Sequence, residues 1–188
     1  MRVYIIRHGE SENNKKRLCT GWYDASLTDL GREEAKRAAS LLDGVTFDRI
    51  YSSDLSRAIE TARLAIPGCS PKTTPLLREI SVGWLAGNPL SVITDEDRAQ
   101  IAKIGYKAFG GESNEELRER ILTFRAELEA SGCENVALFT HAGWLRTFFD
   151  TVIGMCIPRN VLTCNNCATA IFEYTGNLWR LHSWINLQ

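Results

Sequence analysis

Short β-prone runs and longer amphipathic segments alternate along the chain. Residues 3–6 and 136–139 are continuous apolar runs typical of strands buried on both faces, and 47–51 is a further short strand-like segment. Two more β-rich segments, 168–174 and 178–185, flank a Thr-Gly-Asn turn. The pattern predicts five strands, the last two of which form an antiparallel hairpin.

The segments between these strands carry apolar residues at helical spacing. The predicted helical segments are 27–44, 55–66, 95–107, 115–130 and 144–153. Thr28 and Asn114 are the expected N-caps of two of them, and Gly44 and Pro67-Gly68 mark helix ends. Prolines and glycines interrupt the stretch 71–111, which we expect to be irregular apart from its one modest helix.

Strands that alternate with helices favour a three-layer α/β/α sandwich with a mainly parallel sheet, and the closing hairpin adds one antiparallel edge strand. A length of 188 residues suits one domain with a sizeable core. Since the sequence contains no repeat, linker or low-complexity tract, we predict a single domain over residues 1–188 with a short cap insertion at about 81–110.

Composition and charge limit the partners of the chain. Hydrophobic residues make up 44%, charged residues 24%, and the formal net charge is -1, so no global basic field attracts nucleic acid or an acidic membrane. No apolar run approaches the length of a membrane span, and charged residues by position 7 leave no room for a signal peptide. We expect a cytoplasmic protein without nucleic-acid or membrane partners; its oligomeric state is open.

Two of the predicted strands end in a histidine. Arg7-His8-Gly9 follows the first strand, and Thr140-His141-Ala142-Gly143 follows the strand at 136–139. In open α/β folds, ligands bind at the carboxyl ends of the strands. Two imidazoles, an arginine and glycines that let the backbone approach a ligand therefore predict chemistry on an anion, with phosphate the best candidate.

The first of these segments suits covalent catalysis. A neutral imidazole of His8 is able to attack phosphorus and leave a phosphoramidate that water hydrolyses. Arg7 is suited to binding the phosphoryl oxygens, because its planar guanidinium stays charged and donates paired hydrogen bonds. Asn14, in the loop that follows, is a candidate neutral donor.

Three later residues complete the expected site. Arg57 lies in the first turn of a helix, where backbone N–H groups favour an anion. His141 offers a second imidazole donor beside another helix start. Glu79 lies between apolar neighbours, and a carboxyl group in such a cleft is able to protonate a leaving alkoxide, although its spacing alone suits a surface carboxylate slightly better.

Other candidate features favour structural roles. Cys164-Asn165-Asn166-Cys167 has redox or zinc-ligand spacing but lacks a second pair, so both cysteines are expected to pack at the start of a strand. His182 is expected to be a packing or edge residue. No Walker-type loop, GxGxxG sequence or metal-ligand spacing occurs, which argues against nucleotide cofactors and metals.

Six ordered motifs together resemble the histidine phosphatase superfamily, the phosphoglycerate-mutase-like group. The motifs are Arg7-His8-Gly9-Glu10-Ser11-Glu12-Asn13-Asn14, Gly21-Trp22-Tyr23-Asp24 with Leu27-Thr28, Gly31 and Ala35, Ser52-Ser53-Asp54-Leu55-Ser56-Arg57, Leu77-Arg78-Glu79-Ile80 with Gly83 and Gly87, Gly111-Glu112-Ser113, and Thr140-His141-Ala142-Gly143. The resemblance runs over nearly the whole chain.

The resemblance implies a catalytic set without metal or cofactor. By it, His8 is the phosphorylated nucleophile, Glu79 is the proton donor, and Arg7, Arg57 and His141 hold the phosphoryl group. It also implies phosphate-pocket contacts from Asn14, Gly21 and Ala142. Where many phosphatases of the family have Trp-Glu-Gly, this chain has Leu85-Ala86-Gly87, so a carboxylate is missing there.

Three functions remain open: a phosphomonoester hydrolase, a cofactor-dependent phosphoglycerate mutase and a non-catalytic phospho-ligand binding protein. The mutases that the chain resembles carry a long basic insert, whereas only 32 residues, 80–111, separate Glu79 from Glu112, and their charges balance. A short cap leaves water access, which favours hydrolysis. The expected partner is a small phosphorylated metabolite, such as a sugar phosphate, phosphoserine or α-ribazole phosphate.

Overall fold

The computed structural model describes residues 1–158 and 161–186, and within them a mixed sheet lies between two layers of helices. The strands are β1 (Arg2–Arg7), β2 (Arg49–Ser53), β3 (Lys72–Thr74), β4 (Asn135–Thr140), β5 (Thr169–Tyr174) and β6 (Trp179–Ile185). The helices are α1 (Glu12–Lys15), α2 (Asp29–Ala38), α3 (Ser56–Ala65), α4 (Asp95–Ile104), α5 (Asn114–Glu129) and α6 (Ala142–Ile153).

The strand order is β3-β2-β4-β1-β5-β6. Strands β3, β2, β4 and β1 are parallel, β5 pairs antiparallel with β1, and β6 pairs antiparallel with β5 at the edge. This confirms the predicted three-layer fold and its antiparallel edge. In the β1–β4 register Arg7 lies opposite Thr140, so the residues that follow both strands emerge side by side.

Both faces of the sheet are covered, which is why its central strands are continuous apolar runs. On one face, Ile5 and Leu138 belong to a core that includes Phe124 of α5 and Trp144 and Phe148 of α6. The opposite face packs against α2 and α3. That second core is made of Tyr4, Ile6, Ala35, Ala38, Leu42, Ala62, Ala65, Ala137, Phe139 and Cys167.

Several predicted helix boundaries were wrong. The helix expected over 27–44 ends at Ala38 and continues as a 3₁₀ turn, Ala39–Leu41. Leu30, in its first turn, is 52% exposed. The loop after β1 contains the short helix α1, which a capping box of Ser11 and Asn14 stabilises. Four residues are too few for an apolar period to show.

Other errors concern caps and the irregular stretch. Ser113, and not Asn114, is the N-cap of α5, since its hydroxyl accepts the N–H of Glu116. The stretch 71–111 contains a strand, β3, that is too short and polar to be predicted. Helix α4 ends at Ile104 rather than 107, because Gly105 follows with φ 78°.

The stretch 81–110 contributes most of a small hydrophobic cluster, which Cys19 from the loop before α2 completes. We call it the cap cluster, and it consists of Cys19, Val82, Leu85, Ile93, Ile101 and Phe109. Ala86, at the position of the missing carboxylate, packs against it. The division into one domain with a cap at about 81–110 stays a proposal.

Across the two described ranges, no helix combines the length and the apolar character needed to cross a membrane.

Two glycines bring the end of β1 against the start of α2. A Cβ on Gly31 would overlap the backbone oxygen of Glu10, and a Cβ on Gly9 would overlap the backbone oxygen of Gly31. This close approach fixes the loop directly after His8.

Replacing Gly31 by alanine is expected to lower the free energy of unfolding by about 1–3 kcal/mol, because the added methyl group overpacks a backbone contact. In open space the same change inside a helix would stabilise by roughly 1 kcal/mol. Urea unfolding measures whether the free energy of unfolding falls or rises, and Glu33→Ala, at an exposed position of α2, is the control. A Gly31→Ala protein more stable than the wild type would contradict the contact.

Candidate active site

His8 follows β1 and is buried with one ring nitrogen free of its proton. Its Nδ1 lies 2.6 Å from the backbone oxygen of Gly9. Because a carbonyl only accepts hydrogen bonds, Nδ1 carries the proton and Nε2 keeps its lone pair. That lone pair accepts the Nε–H of Arg57 at 3.3 Å. The tautomer therefore leaves Nε2 as the nucleophilic atom.

The imidazole of His8 is electrically neutral. Burial lowers its pKa well below the ordinary value of 6.5, and the charges of Arg57 and Arg7 lower it further. A neutral imidazole is the form that attacks phosphorus.

His141 lies beside His8 at the start of α6. The two ring centroids are 5.1 Å apart, as the pairing of β1 with β4 requires. Burial lowers the pKa of His141 well below 6.5, and Arg57 and His8 add to the effect. Neither ring nitrogen has a hydrogen-bond partner among the described residues.

Arg57 is buried and its guanidinium is held by backbone carbonyls. Nη1 donates to the oxygen of Tyr23 and Nη2 to that of Gly21, both at 2.8 Å. Burial lowers its pKa from 12.5 to about 10, so it stays charged at neutral pH. The loop 21–24 is itself tied to α3, since Asp24 accepts the backbone N–H and hydroxyl of Ser56.

Within the described ranges, the guanidinium of Arg7 is anchored through one of its nitrogens. Its Nη1 donates to the backbone oxygen of Cys164 at 2.6 Å, whereas its Nε is buried without a partner in the described ranges. Burial lowers its pKa. The described residues contain four buried side-chain nitrogen or oxygen atoms without a partner, and three belong to Arg7 and His141. Unsatisfied buried polar atoms are costly. Their concentration at Arg7 and His141 makes these two side chains candidates for contact with a ligand.

The carboxyl group of Glu79 lies against the start of α6. Its Oε2 accepts the N–H of Gly143 at 3.0 Å, and Oε1 accepts the N–H of Ile80 at 2.9 Å. A Cβ on Gly143 would overlap Oε1, so the approach requires a glycine. Because Gly143 follows His141 by two positions, these contacts bring the carboxyl group to the same helix start as the second imidazole.

The three weaker candidates contribute in different ways. The Oδ1 of Asn14 is occupied by Ser11 and by Asn166, and Asn166 also donates to the backbone oxygen of His8. Gly21 acts through its carbonyl, which holds the guanidinium of Arg57. Ala142 is the first residue of α6, where backbone N–H groups lack intrahelical partners.

Two residues that contact the backbone of Glu79 were missed as site residues. The Nε1–H of Trp22 donates to the backbone oxygen of Glu79 at 2.7 Å. Arg120 of α5 donates to the same oxygen at 2.8 Å and pairs with Glu112. Glu112 belongs to the motif Gly111-Glu112-Ser113, and its presence there is the one sequence feature that indicates a buried cation nearby.

The two cysteines of the CxxC sequence lie in different cores. Cys164 packs in the core with α5 and α6, and Cys167 in the core with α2 and α3. Burial raises the pKa of both thiols, that of Cys167 to about 12. They therefore act as packing residues. Among the described residues, no group of three or more His, Cys, Asp or Glu side chains has an arrangement suited to a metal ion.

The chain matches the sequence profile of the histidine phosphatase superfamily (branch 1) over residues 3–187, and it belongs to this family. A protein of Photorhabdus laumondii named probable phosphoglycerate mutase GpmB is 30% identical over 98% of this chain and 90% of its own.

Solved structures agree with this assignment. A candidate alpha-ribazole-5'-P phosphatase from Escherichia coli K-12 superposes with a TM-score of 0.85 at 25% identity, covering 99% of this chain and 96% of that one. The phosphoglycerate mutase of Thermus thermophilus gives a TM-score of 0.77 at 27% identity over the whole of both chains.

Lowering the pH is expected to destabilise the fold through the two buried imidazoles. Each stays neutral when folded but takes up a proton when unfolded, which costs about 1.4 kcal/mol per pH unit below the ordinary pKa. The contribution of the two histidines to the free energy of unfolding should therefore be fully present above about pH 6.5. It should fall as the pH drops toward the lowered pKa values of the folded state. Urea unfolding between about pH 7.5 and pH 5.5 measures it.

The variant His141→Asn removes one of the two groups and is expected to reduce this pH dependence by about half. His182→Asn changes an exposed residue of β6 and is the matched control. A wild-type stability that does not change across the range would contradict the neutral state of the pair.

Proposed function

We propose that the protein is a metal-independent phosphomonoester hydrolase that acts through a phosphohistidine on a small phosphorylated metabolite. One observation carries the proposal: the unprotonated Nε2 of His8 accepts the Nε–H of the charged Arg57, and the imidazole of His141 lies 5.1 Å away, centroid to centroid. Among the described residues, the Nε of Arg7 and the ring nitrogens of His141 have no partner. The guanidinium groups of the buried Arg57 and the partly buried Arg7 supply the positive charge that a phosphoryl transfer requires.

In the first step, Nε2 of His8 attacks phosphorus and the P–O ester bond breaks. The electron pair of that bond leaves with the alkoxide, which takes a proton from the carboxyl group of Glu79. Positive charge develops on the imidazole, and the hydrogen bond from Nδ1–H to the Gly9 carbonyl stabilises it.

In the second step, water attacks the phosphohistidine. Glu79, now a carboxylate, takes a proton from that water, the P–N bond breaks, and His8 returns to its neutral form as orthophosphate departs. Arg7, Arg57 and His141 donate hydrogen bonds to the phosphoryl oxygens in both steps, with Asn14 and the N–H of Ala142 as further donors.

Hydrolysis is favoured over mutase activity by the segment between Glu79 and Glu112. It carries three acidic and three basic residues, Asp95, Glu96, Asp97, Arg98, Lys103 and Lys107. Because its charges balance, the segment has no net positive charge that would bind a second anionic group of a substrate. A short segment also leaves the phosphohistidine accessible to water. Mutase activity stays the alternative, because the relative from Photorhabdus laumondii is named for it.

The same proposal includes the partner and location. Balanced charge favours a small monophosphate, and the name of the Escherichia coli protein makes α-ribazole phosphate one candidate. We also propose a cytoplasmic location. The net charge of -1 supports the proposed lack of nucleic-acid and membrane partners.

The variant His8→Ala is expected to abolish phosphate release, because the covalent intermediate cannot form. A panel of phosphorylated metabolites, assayed in EDTA and without added metal, measures release, and phosphoglycerate interconversion is assayed in parallel. Acid-labile phosphate should be found on His8 of the wild type.

The exposed His182→Ala is the matched control and should keep wild-type turnover. Normal turnover by His8→Ala would refute the mechanism. Interconversion without release would identify a mutase, and no turnover on any substrate would favour the non-catalytic binding protein.

The variant Glu79→Gln is expected to slow alkyl phosphates by about 10²–10⁴-fold and aryl phosphates much less, because aryl leaving groups need little protonation. Comparing kcat/KM for 4-nitrophenyl phosphate with that for glycerol 2-phosphate tests this, because kcat/KM reports the steps through P–O cleavage and leaves out the dephosphorylation that both esters share. If both esters slow equally, Glu79 is not the proton donor.

A further inference from the structure

Arg120 of α5 uses every donor of its guanidinium group. Nε donates to Glu112 Oε1 at 2.9 Å and Nη2 to Glu112 Oε2 at 3.1 Å. The other N–H groups donate to backbone oxygens, those of Leu76 at 3.0 Å, Arg78 at 2.7 Å and Glu79 at 2.8 Å. A guanidinium has five N–H donors, so none remains for a substrate, and any effect of Arg120 on turnover is exerted through its neighbours.

The three backbone oxygens lie in the segment that carries Glu79. Leu76 belongs to the 3₁₀ turn Pro75–Leu77, and its backbone oxygen also accepts the Nε1–H of Trp144 at 2.8 Å, whereas the oxygens of Arg78 and Glu79 lie beyond the turn. Arg120 joins all three oxygens to α5. The lysine side chain, with three donors on one nitrogen, cannot reproduce this planar set of contacts.

Glu112 binds the chain on the other side of Glu79, at Ser81. Its Oε2 accepts the N–H of Ser81 at 2.8 Å, and its own N–H donates to the backbone oxygen of Ser81 at 2.9 Å. Arg120 and Glu112 are both largely buried, with side-chain exposures of 13% and 14%. Arg120 and Glu112 are therefore hydrogen-bonded to the backbone on both sides of Glu79.

The remaining contacts of Glu79 depend on that placement. Its backbone oxygen also accepts the indole N–H of Trp22, and its carboxyl oxygens accept N–H groups of Ile80 and Gly143. A shift of the segment would move the carboxyl group away from α6, and a misplacement of about 1 Å is enough to cost on the order of 10²-fold in rate.

We propose that Arg120 and Glu112 are positioning residues for proton donation: they set the place of the Glu79 carboxyl group, and turnover of esters with poor leaving groups depends on them. The inference rests on the proposed function, because it takes Glu79 as the proton donor.

The test compares 4-nitrophenyl phosphate with glycerol 2-phosphate in Arg120→Gln, Arg120→Lys and Glu112→Gln. We expect kcat/KM for glycerol 2-phosphate to fall on the order of 10²-fold in each, and kcat/KM for the aryl ester to fall by less than about threefold. Arg120→Lys should not restore activity. Arg125→Gln is the matched control, since Arg125 also lies on α5, pairs with a glutamate and donates to a backbone oxygen.

A double-mutant cycle tests the route of the effect. If Arg120 acts through Glu79, adding Arg120→Gln to Glu79→Gln should lower kcat/KM for glycerol 2-phosphate no further. Equal slowing of both esters, or a further loss of about tenfold or more in the double variant, would overturn the proposal. Thermal melting reports whether each variant folds; if neither Arg120→Gln nor Glu112→Gln folds, the pair is a requirement for folding and the proposal fails.

These outcomes separate the two proposals. Phosphate release that does not depend on His8 would refute the proposed function itself. Release that depends on His8 together with equal slowing of the two esters would leave the proposed function intact and remove only the positioning role.

Discussion

The parallel pairing of β1 with β4 is the constraint on which the site depends. Because Arg7 lies opposite Thr140 and the N–H of His8 donates to the Thr140 carbonyl at 2.9 Å, both histidines leave the sheet at one level. A slip of one residue would turn every side chain of β1 to the other face and part His8 from His141. The apolar residues that fill both cores therefore also set the distance between the two imidazoles.

The net charge of the molecule is small, but positive charge is concentrated at the candidate active site. The net charge is -1, yet the buried Arg57 and the partly buried Arg7 lie near two neutral imidazoles. Burying a cation is expensive unless it is hydrogen-bonded, and Arg57 meets this requirement with backbone oxygens that carry no opposing charge. Its full positive charge is thus kept for a ligand, whereas the charge of Arg120 is compensated by Glu112.

Local sequence predicts the parts of this structure that depend on local patterns. The buried strands follow from apolar runs, and His8 and His141 follow from the ends of those runs. Arg120 could not be found in this way, since an arginine on an amphipathic helix usually faces solvent and its three backbone partners lie more than 40 residues away. Ser113 was missed as the cap of α5 because Asn114 beside it has the same capping chemistry.

The anchoring of Arg57 by main-chain oxygens has an evolutionary consequence. Every residue type offers a carbonyl, so substitutions at Tyr23 leave this anchor in place, provided the loop keeps its shape through Gly21 at φ 49°. The side chains of Trp22 and Tyr23 are 42% and 54% exposed at the same loop. Substitution at Tyr23 is thereby uncoupled from the anchoring of Arg57, whereas the indole of Trp22 also holds the backbone oxygen of Glu79. A lineage is able to change the exposed surface at position 23 while Arg57 stays in place.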